Sequence, residues 1–406
     1  MIYIIIATLT TIFFMYLNHI NIKYLKHHPI PSLLNGLFTE SEEEKSKKYT
    51  IAKSKVSDVS HVVNLVFISM LILLRIPALL DNLLNQFELN IYVHSLVYMG
   101  SISLLIYLVG LPFDLYRQFR LEAQFGFNKL TIQTYIVDQV KGFLLSLVVG
   151  IPLVLLLVFV LSTFNLWWLW ASMIMTGIVL LFSFVYPFFI APLFNKFTPL
   201  DDGEVKTTIE ALAKKCEFPI QGVYVMDGSK RSSHSNAYFT GFGKLKRIVL
   251  FDTLLDTLDT SEISSVMAHE IGHQKKGHVN KMLLFNILII MGSFFIAGLL
   301  FDKPIIFEHL GLGKASPWSL LLFLMLYLEP VNIILTFIIY SFSRRFEFQA
   351  DNYAKTTIST GDNLISSLIK LTKENASNLN PHPLYSRFFY SHPTLVERIN
   401  ALKGGV

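Results

Sequence analysis

The apolar residues of this chain run together instead of recurring at the helical or strand period of a soluble fold. A helix needs about 20 mostly apolar residues to cross a bilayer core. Seven segments approach or exceed that length, at 2–17, 62–80, 91–111, 143–164, 167–193, 282–301 and 318–340. The first is the shortest. It has no basic stretch before it and no small-residue cleavage site, so it reads as a retained helix and not a signal peptide. Arg75, His94, Asn286, Glu329 and Asn332 fall inside the runs. At bilayer depth such groups face one another or a water-filled cavity. Pro330, beside Glu329, predicts a break in the seventh helix.

The intervening loops alternate in charge. Lys23, Lys26, Lys45, Lys47, Lys48, Lys53 and Lys55 lie in 18–61, whereas 81–90 has no Lys or Arg. Arg117, Arg120, Lys129 and Lys141 follow the third run, and the turn at Asn165 has no charge. The long segment after the fifth run is rich in lysine, and Arg344 and Arg345 follow the seventh. Cytoplasmic loops carry the excess of Lys and Arg. The N-terminus is therefore expected outside, with two hydrophilic regions in the cytoplasm. The chain divides into a membrane region at 1–194, a hydrophilic part at 195–281, two more spans at 282–340 and a hydrophilic C-terminal part at 341–406.

Composition agrees. Charged residues are 16% of the 406-residue chain and hydrophobic residues 52%, against about 25% charge in soluble domains. Disorder is excluded, because disordered chains are charge-rich and aromatic-poor. Cys216 is the one cysteine, which excludes an intrachain disulfide and a cysteine metal cluster. The net charge of +5 fits cations held at one bilayer face and a membrane-lipid partner. No basic patch interleaves with aromatics, so no nucleic-acid partner is expected.

The segment 261–277 reads SEISSVMAHEIGHQKKG. Ile263, Val266, Met267 and Ile271 recur at helical spacing, with Ser261 as the expected N-cap. His269 and His273 are then one turn apart on one face, and Glu270 lies beside them. Two imidazoles, an open position and a carboxylate base are what a zinc hydrolase needs. The competing reading is an exposed His/Glu face without metal. A third ligand is on offer after the last run, where Glu347 and Asp351 share a face of a second predicted helix. Glu347 could complete a His₂Glu site, and Asp351 could orient a ligating imidazole through its other nitrogen. Equally, these residues could be a charged helix start, with Arg345 paired to Glu347.

HEIGH at 269–273 with EFQAD at 347–351 resembles the M48 metallopeptidases, most closely the type I CAAX prenyl endopeptidases of the Ste24 kind. SNAY at 235–238, RIVLFDTLL at 247–255, SHP at 391–393 with Glu397 and Arg398, and FGFNK at 125–129 resemble further segments of that family. The resemblance implies a mainly α, polytopic membrane protein. Seven transmembrane helices would enclose a chamber and carry a small α+β, gluzincin-like domain. It implies one Zn2+ per chain on His269, His273 and Glu347, with Glu270 activating water. Asn236, Ala237 and Tyr238 would form an edge strand that pairs with substrate. His392 and Arg398 would stabilise the oxyanion near the metal.

The implied reaction removes the C-terminal tripeptide of a CaaX peptide or protein bearing a prenylated cysteine. The alternative is a quality-control zinc protease of membrane proteins with no prenyl requirement. An intramembrane protease fits worse, because Gln274, Lys275 and Lys276 put the motif in a polar region. A non-catalytic scaffold or channel ranks last, because the zinc set is complete. The chain's shortness beside eukaryotic enzymes of this kind, and its lack of an evident retention tail, favour a bacterial inner membrane. The endoplasmic reticulum is the alternative.

Overall fold

The computed structural model describes residues 2–240, 246–301, 303, 307–308, 310–312 and 315–404, with backbone only at 2 and 328–330. Glu329 and Pro330 thus fall outside the described side chains. Thirteen helices carry the architecture: α1 Ile2–His27, α2 Glu40–Leu73, α3 Ile76–Asn85, α4 Ile91–Tyr116, α5 Ile132–Thr163, α6 Trp167–Val185, α7 Glu204–Lys215, α8 Thr260–Lys275, α9 His278–Leu300, α10 Pro317–Ile358, α11 Asp362–Glu374, α12 Pro383–Phe389 and α13 Leu395–Lys403. Six segments, in α1, α2, α4, α5, α6 and α9, are long and apolar enough to cross a membrane. The halves Pro317–Tyr327 and Val331–Ile358 of α10 are bent by 53°, and counted together they make a seventh.

The helices outrun the apolar segments that announced them. The lysine-rich stretch before the second run is already helical, because Thr39 and Glu42 form a capping box that starts α2. The second run is not one helix. Proline inside a helix clashes with the carbonyl four residues back. For Pro77 that carbonyl belongs to Leu73, where α2 stops. The chain turns through Arg75 at φ 53° and restarts as α3. Arg75 is therefore an exposed corner residue and not a charge inside a span. Gly311 closes on this corner: at φ +76° a Cβ there would lie 2.9 Å from that of Ala78.

His94 finds a neighbour, as polar groups in spans must. Its Nε2 lies 2.9 Å from Asp81 Oδ1 of α3, and its ring stacks on Trp318 at 4.1 Å. Asn286 and Asn332 are exposed. The buried core of the membrane part gathers at one end. It takes Tyr3 from the start of α1, Ile72 from the end of α2 and Ile102 from the first half of α4. Val160 ends α5, Ala171 begins α6, Ala297 ends α9 and Leu320 begins α10. Starts and ends alternate, as they must in helices that run up and down.

Between α6 and α9 the chain builds a four-stranded sheet from β1 Phe197–Pro199, β2 Gly222–Met226, β3 Ala237–Thr240 and β4 Arg247–Phe251. The order is β1-β2-β4-β3, with β2 parallel to β4 and β3 antiparallel to it. A second core joins this sheet to α7, α8 and α11 through Ile209, Ile248, Leu250, Ile263, Met267 and Leu364. α8 and α10 approach closely, backbone against glycine. A Cβ on Gly272 would lie 3.1 Å from Ala350 Cα and 3.1 Å from Tyr353 Cβ. Even a methyl group there would be tighter than ordinary van der Waals contact, and a larger side chain would force the helices to shift. Gly272→Val is expected to destabilise by about 1–3 kcal/mol through overpacking, read as a lower melting midpoint in detergent. Gly292→Ala, where an added Cβ meets nothing within 4 Å, should not lower it.

Candidate metal centre

The N-cap of α8 is Asp259 and not Ser261. Asp259 Oδ1 accepts from the Glu262 amide at 3.0 Å, and Glu262 Oε2 accepts from the Asp259 amide at 3.0 Å. The reciprocal box outcompetes a serine two residues later, and Ser261 Oγ merely donates to Asp259. Glu262 is buried and also accepts from Ser366 Oγ at 2.6 Å and Lys370 Nζ at 2.7 Å on α11. The cap thus fixes α8 in place as well as starting it. Ile263, Met267 and Ile271 point into the core, which turns His269, Glu270 and His273 toward α10.

There the two imidazoles meet Glu347. The Nε2 atoms of His269 and His273 are 3.1 Å apart. Glu347 places Oε2 3.4 Å from the first and Oε1 3.2 Å from the second. Three donor atoms about 2.0–2.1 Å from a tetrahedral zinc lie roughly 3.3 Å from one another. Among the described residues no other trio of potential ligands converges in this way. Glu347 Oε2 is buried without a hydrogen-bond partner. That orphaned oxygen faces His269 while its twin faces His273, an arrangement that fits a cation between carboxylate and imidazoles.

The electrostatics agree. Burial disfavours a charged His269, but its bonds to Asp351 and Glu347 prevail and push its pKa up to about 9. Glu347 is held well below the usual carboxylate range: burial opposes this, and the imidazoles and Arg398 outweigh it. The site therefore holds a positive charge, as a proton or as a metal that displaces it.

Asp351 stands behind His269, its Oδ1 2.8 Å from Nδ1. Arg398 of α13 is buried and donates through Nε to Asp351 Oδ2 at 2.9 Å and through a terminal nitrogen to Oδ1. Its other terminal nitrogen lies 3.5 Å from Glu347. The guanidinium is thus bonded to Asp351 through two of its nitrogens, and the third makes no hydrogen bond among the described residues. Arg345 does not pair with Glu347; it lies over the Phe342 ring at 6.0 Å. Nor does a helix begin here, because Glu347 and Asp351 lie well inside the Val331–Ile358 half of α10.

A cavity of about 790 Å³ opens on this cluster, lined by His269, Glu270, Glu347, His392, Asn236 and Ala237, with Tyr49 and Lys53 of α2 across it. Burial raises the Glu270 carboxyl. His392 is open to the cavity, with Nε2 3.4 Å from Glu347 Oε1. Ala237 begins β3, the last strand of the sheet, and Asn236 precedes it. Tyr238 points the other way, toward Phe251 at 6.3 Å.

His278 escaped the sequence reading. Its Nδ1 lies 3.0 Å from His273 Nδ1, its Nε2 lies 2.9 Å from Gln349 Oε1, and its ring stacks on Phe346 at 4.3 Å. The signal was a third histidine five residues after His273. That spacing shares no helix face, and only the turn at Gly277, φ +66°, brings the rings together.

Comparison with known proteins covers the same ground. Residues 21–196 match the family model for the CAAX prenyl protease N-terminal region with five membrane helices, and residues 199–406 match peptidase family M48. The chain is 38% identical to CAAX prenyl protease 1 of Saccharomyces cerevisiae, covering 95% of this chain and 91% of that one. It is 36% identical to a CAAX prenyl protease 1 homolog of Oryza sativa, covering 97% and 94%. The crystal structure of S. mikatae Ste24p superposes with a TM-score of 0.93 at 35% identity, covering 98% of each chain. The chain belongs to the M48 peptidases, as an integral-membrane zinc metalloprotease.

Proposed function

We propose that this enzyme removes the C-terminal tripeptide from CaaX peptides or proteins, with a preference for a prenylated cysteine. The observation that carries the reading is one cavity with His269, Glu270 and Glu347 on one wall and Asn236–Ala237 on another. A metal trio beside a sheet edge suits an extended peptide, which an edge strand holds by backbone pairing. The names of the relatives supply the CaaX substrate. They also disfavour the quality-control reading.

When bound, zinc polarises the scissile carbonyl and acidifies water. His269, His273 and Glu347 are the residues that hold it. Glu270 takes a proton from the attacking water and passes it to the leaving amine. Its burial supports that role, since a raised carboxyl is a better base. His392, open to the cavity, is the group we assign to the oxyanion. Arg398 orients His269 through Asp351, and its second terminal nitrogen, which makes no hydrogen bond among the described residues, is a further donor that we assign to the oxyanion. In the substrate edge, Asn236 and Ala237 face the peptide and Tyr238 braces the strand from behind.

We further infer a chamber between the spans. A helix in a closed bundle buries an apolar stripe at least about 100° wide, roughly a quarter of its surface. No more than 22% of the most apolar 18 residues of any of the six spans is buried, and within Trp167–Phe194 none of those 18 is. The packed residues sit instead at one end of the bundle, with the protease part at the other. Loop charge supports a cytoplasmic catalytic part. The relatives named above are eukaryotic, which favours the endoplasmic reticulum over a bacterial inner membrane.

In detergent, wild-type enzyme and Glu270→Ala should both bind zinc. Cleavage by Glu270→Ala should be at least about 100-fold slower. Wild type should cut a farnesylated CaaX peptide faster than the same peptide without farnesyl; equal rates would sink the prenyl preference. Asp351→Asn should weaken zinc about 10–100-fold in a chelator competition. For orientation, Lys214→Cys should react with an impermeant maleimide from the cytoplasmic side and Gln86→Cys from the opposite side. Cys216 is buried and should stay silent.

A further inference from the structure

We propose that His278 is a positioning residue for the metal ligand His273. It acts as a neutral hydrogen-bond acceptor that fixes which nitrogen of His273 is free for zinc. The argument starts from two facing nitrogens, His273 Nδ1 and His278 Nδ1, 3.0 Å apart. Between two imidazoles such a contact needs one N–H and one lone pair. The far side of His278 decides which ring donates. Its Nε2 lies 2.9 Å from Gln349 Oε1, and an amide oxygen only accepts. His278 therefore carries its proton on Nε2 and presents a bare Nδ1. His273 must then donate from Nδ1, and its Nε2 is left as a lone pair aimed at His269 and Glu347. With the Gln349 amide turned over, the chain of donors would reverse, and His273 would carry a proton where it must bind metal. Gln349 thus sets the polarity and His278 transmits it.

The setting is built for this. His278 is 2% exposed and stacks on Phe346 at an interplanar angle of 7°. It opens α9, directly after the left-handed turn at Gly277. Phe346 and Gln349 flank the ligand Glu347 on α10. The two zinc imidazoles are thus supported differently: His269 by the carboxylate of Asp351, and His273 by an uncharged ring. A second carboxylate behind His273 would add a negative charge to a buried site that already holds Glu347 and Asp351.

The inference rests on the zinc site and not on the CaaX substrate, so its test reads zinc and not cleavage. His278→Phe keeps the stack but has no acceptor; His278→Asn places an amide oxygen near the position of Nδ1. In competition with a chromogenic chelator, the phenylalanine variant should bind zinc about 10–100-fold more weakly than wild type. The asparagine variant should stay within a few-fold of it. Gln349→Met, which leaves His278 in place but removes its lock, should also weaken binding, and it decides the matter if His278→Phe fails to fold. The metal-free melting midpoint of Gln349→Met should fall only modestly, by what one unpaired buried N–H costs, and its circular dichroism should match wild type. Undiminished zinc affinity in His278→Phe or Gln349→Met overturns the proposal. So does equal loss in His278→Phe and His278→Asn, which would mean that the ring matters for packing alone.

Discussion

The structure depends on how closely α8 and α10 approach. Gly272 faces Ala350 so closely that even a methyl group would crowd its backbone. At that separation a glutamate on α10 reaches imidazoles on α8, and a residue one turn further, Asp351, reaches behind the first of them. A larger residue at Gly272 would push the helices apart, and three ligand atoms spaced for one ion would no longer close on it. The glycine lies inside the H-E-x-x-H segment, so the motif specifies the packing as well as the ligands.

The same contact ties chemistry to the bilayer. α10 begins as the last membrane segment, and its second half, Val331–Ile358, carries Glu347 and Asp351. α9, another span, opens on His278, three residues beyond the last residue of α8. The metal centre is therefore held by extensions of two spans, with Glu262 anchoring α8 to α11 from the other end. A domain on a flexible linker could wander with respect to the membrane. This one cannot without bending those helices.

Much of this was legible in the chain. Spacing by four residues put His269 and His273 on one face, because helix geometry is local. The apolar runs located the spans for the same reason. What failed had non-local or competing causes. The second run broke because Pro77 ended α2 four residues earlier, at Leu73. The cap fell on Asp259 because Glu262 completes a box with it and not with Ser261. Glu347 stood undecided between ligand and surface ion pair, since only the packing at Gly272 takes it away from Arg345. His278 was invisible because its partner lies across a turn that no periodicity describes. Arg398 was assigned to the oxyanion by resemblance. Its grip on Asp351 through Nε and one terminal nitrogen, which ties it to His269, is a contact between distant parts of the chain that a sequence cannot display.

Charge balance explains why so polar a cluster survives burial. Glu347, Asp351 and Glu270 offer three carboxylates against the single guanidinium of Arg398. Without an ion the surplus is negative, and the protein compensates by protonation: His269 is pushed up to about 9 and Glu270 is raised by burial. A divalent cation cancels the surplus with both imidazoles neutral and Glu270 ionised. That is the one state in which the imidazoles can ligate and the glutamate can accept a proton from water. Buried charges are costly unless paired, so the residues that make this site expensive without metal are the ones that make it selective for a dication. Catalytic competence and metal retention then follow from the same electrostatic arrangement.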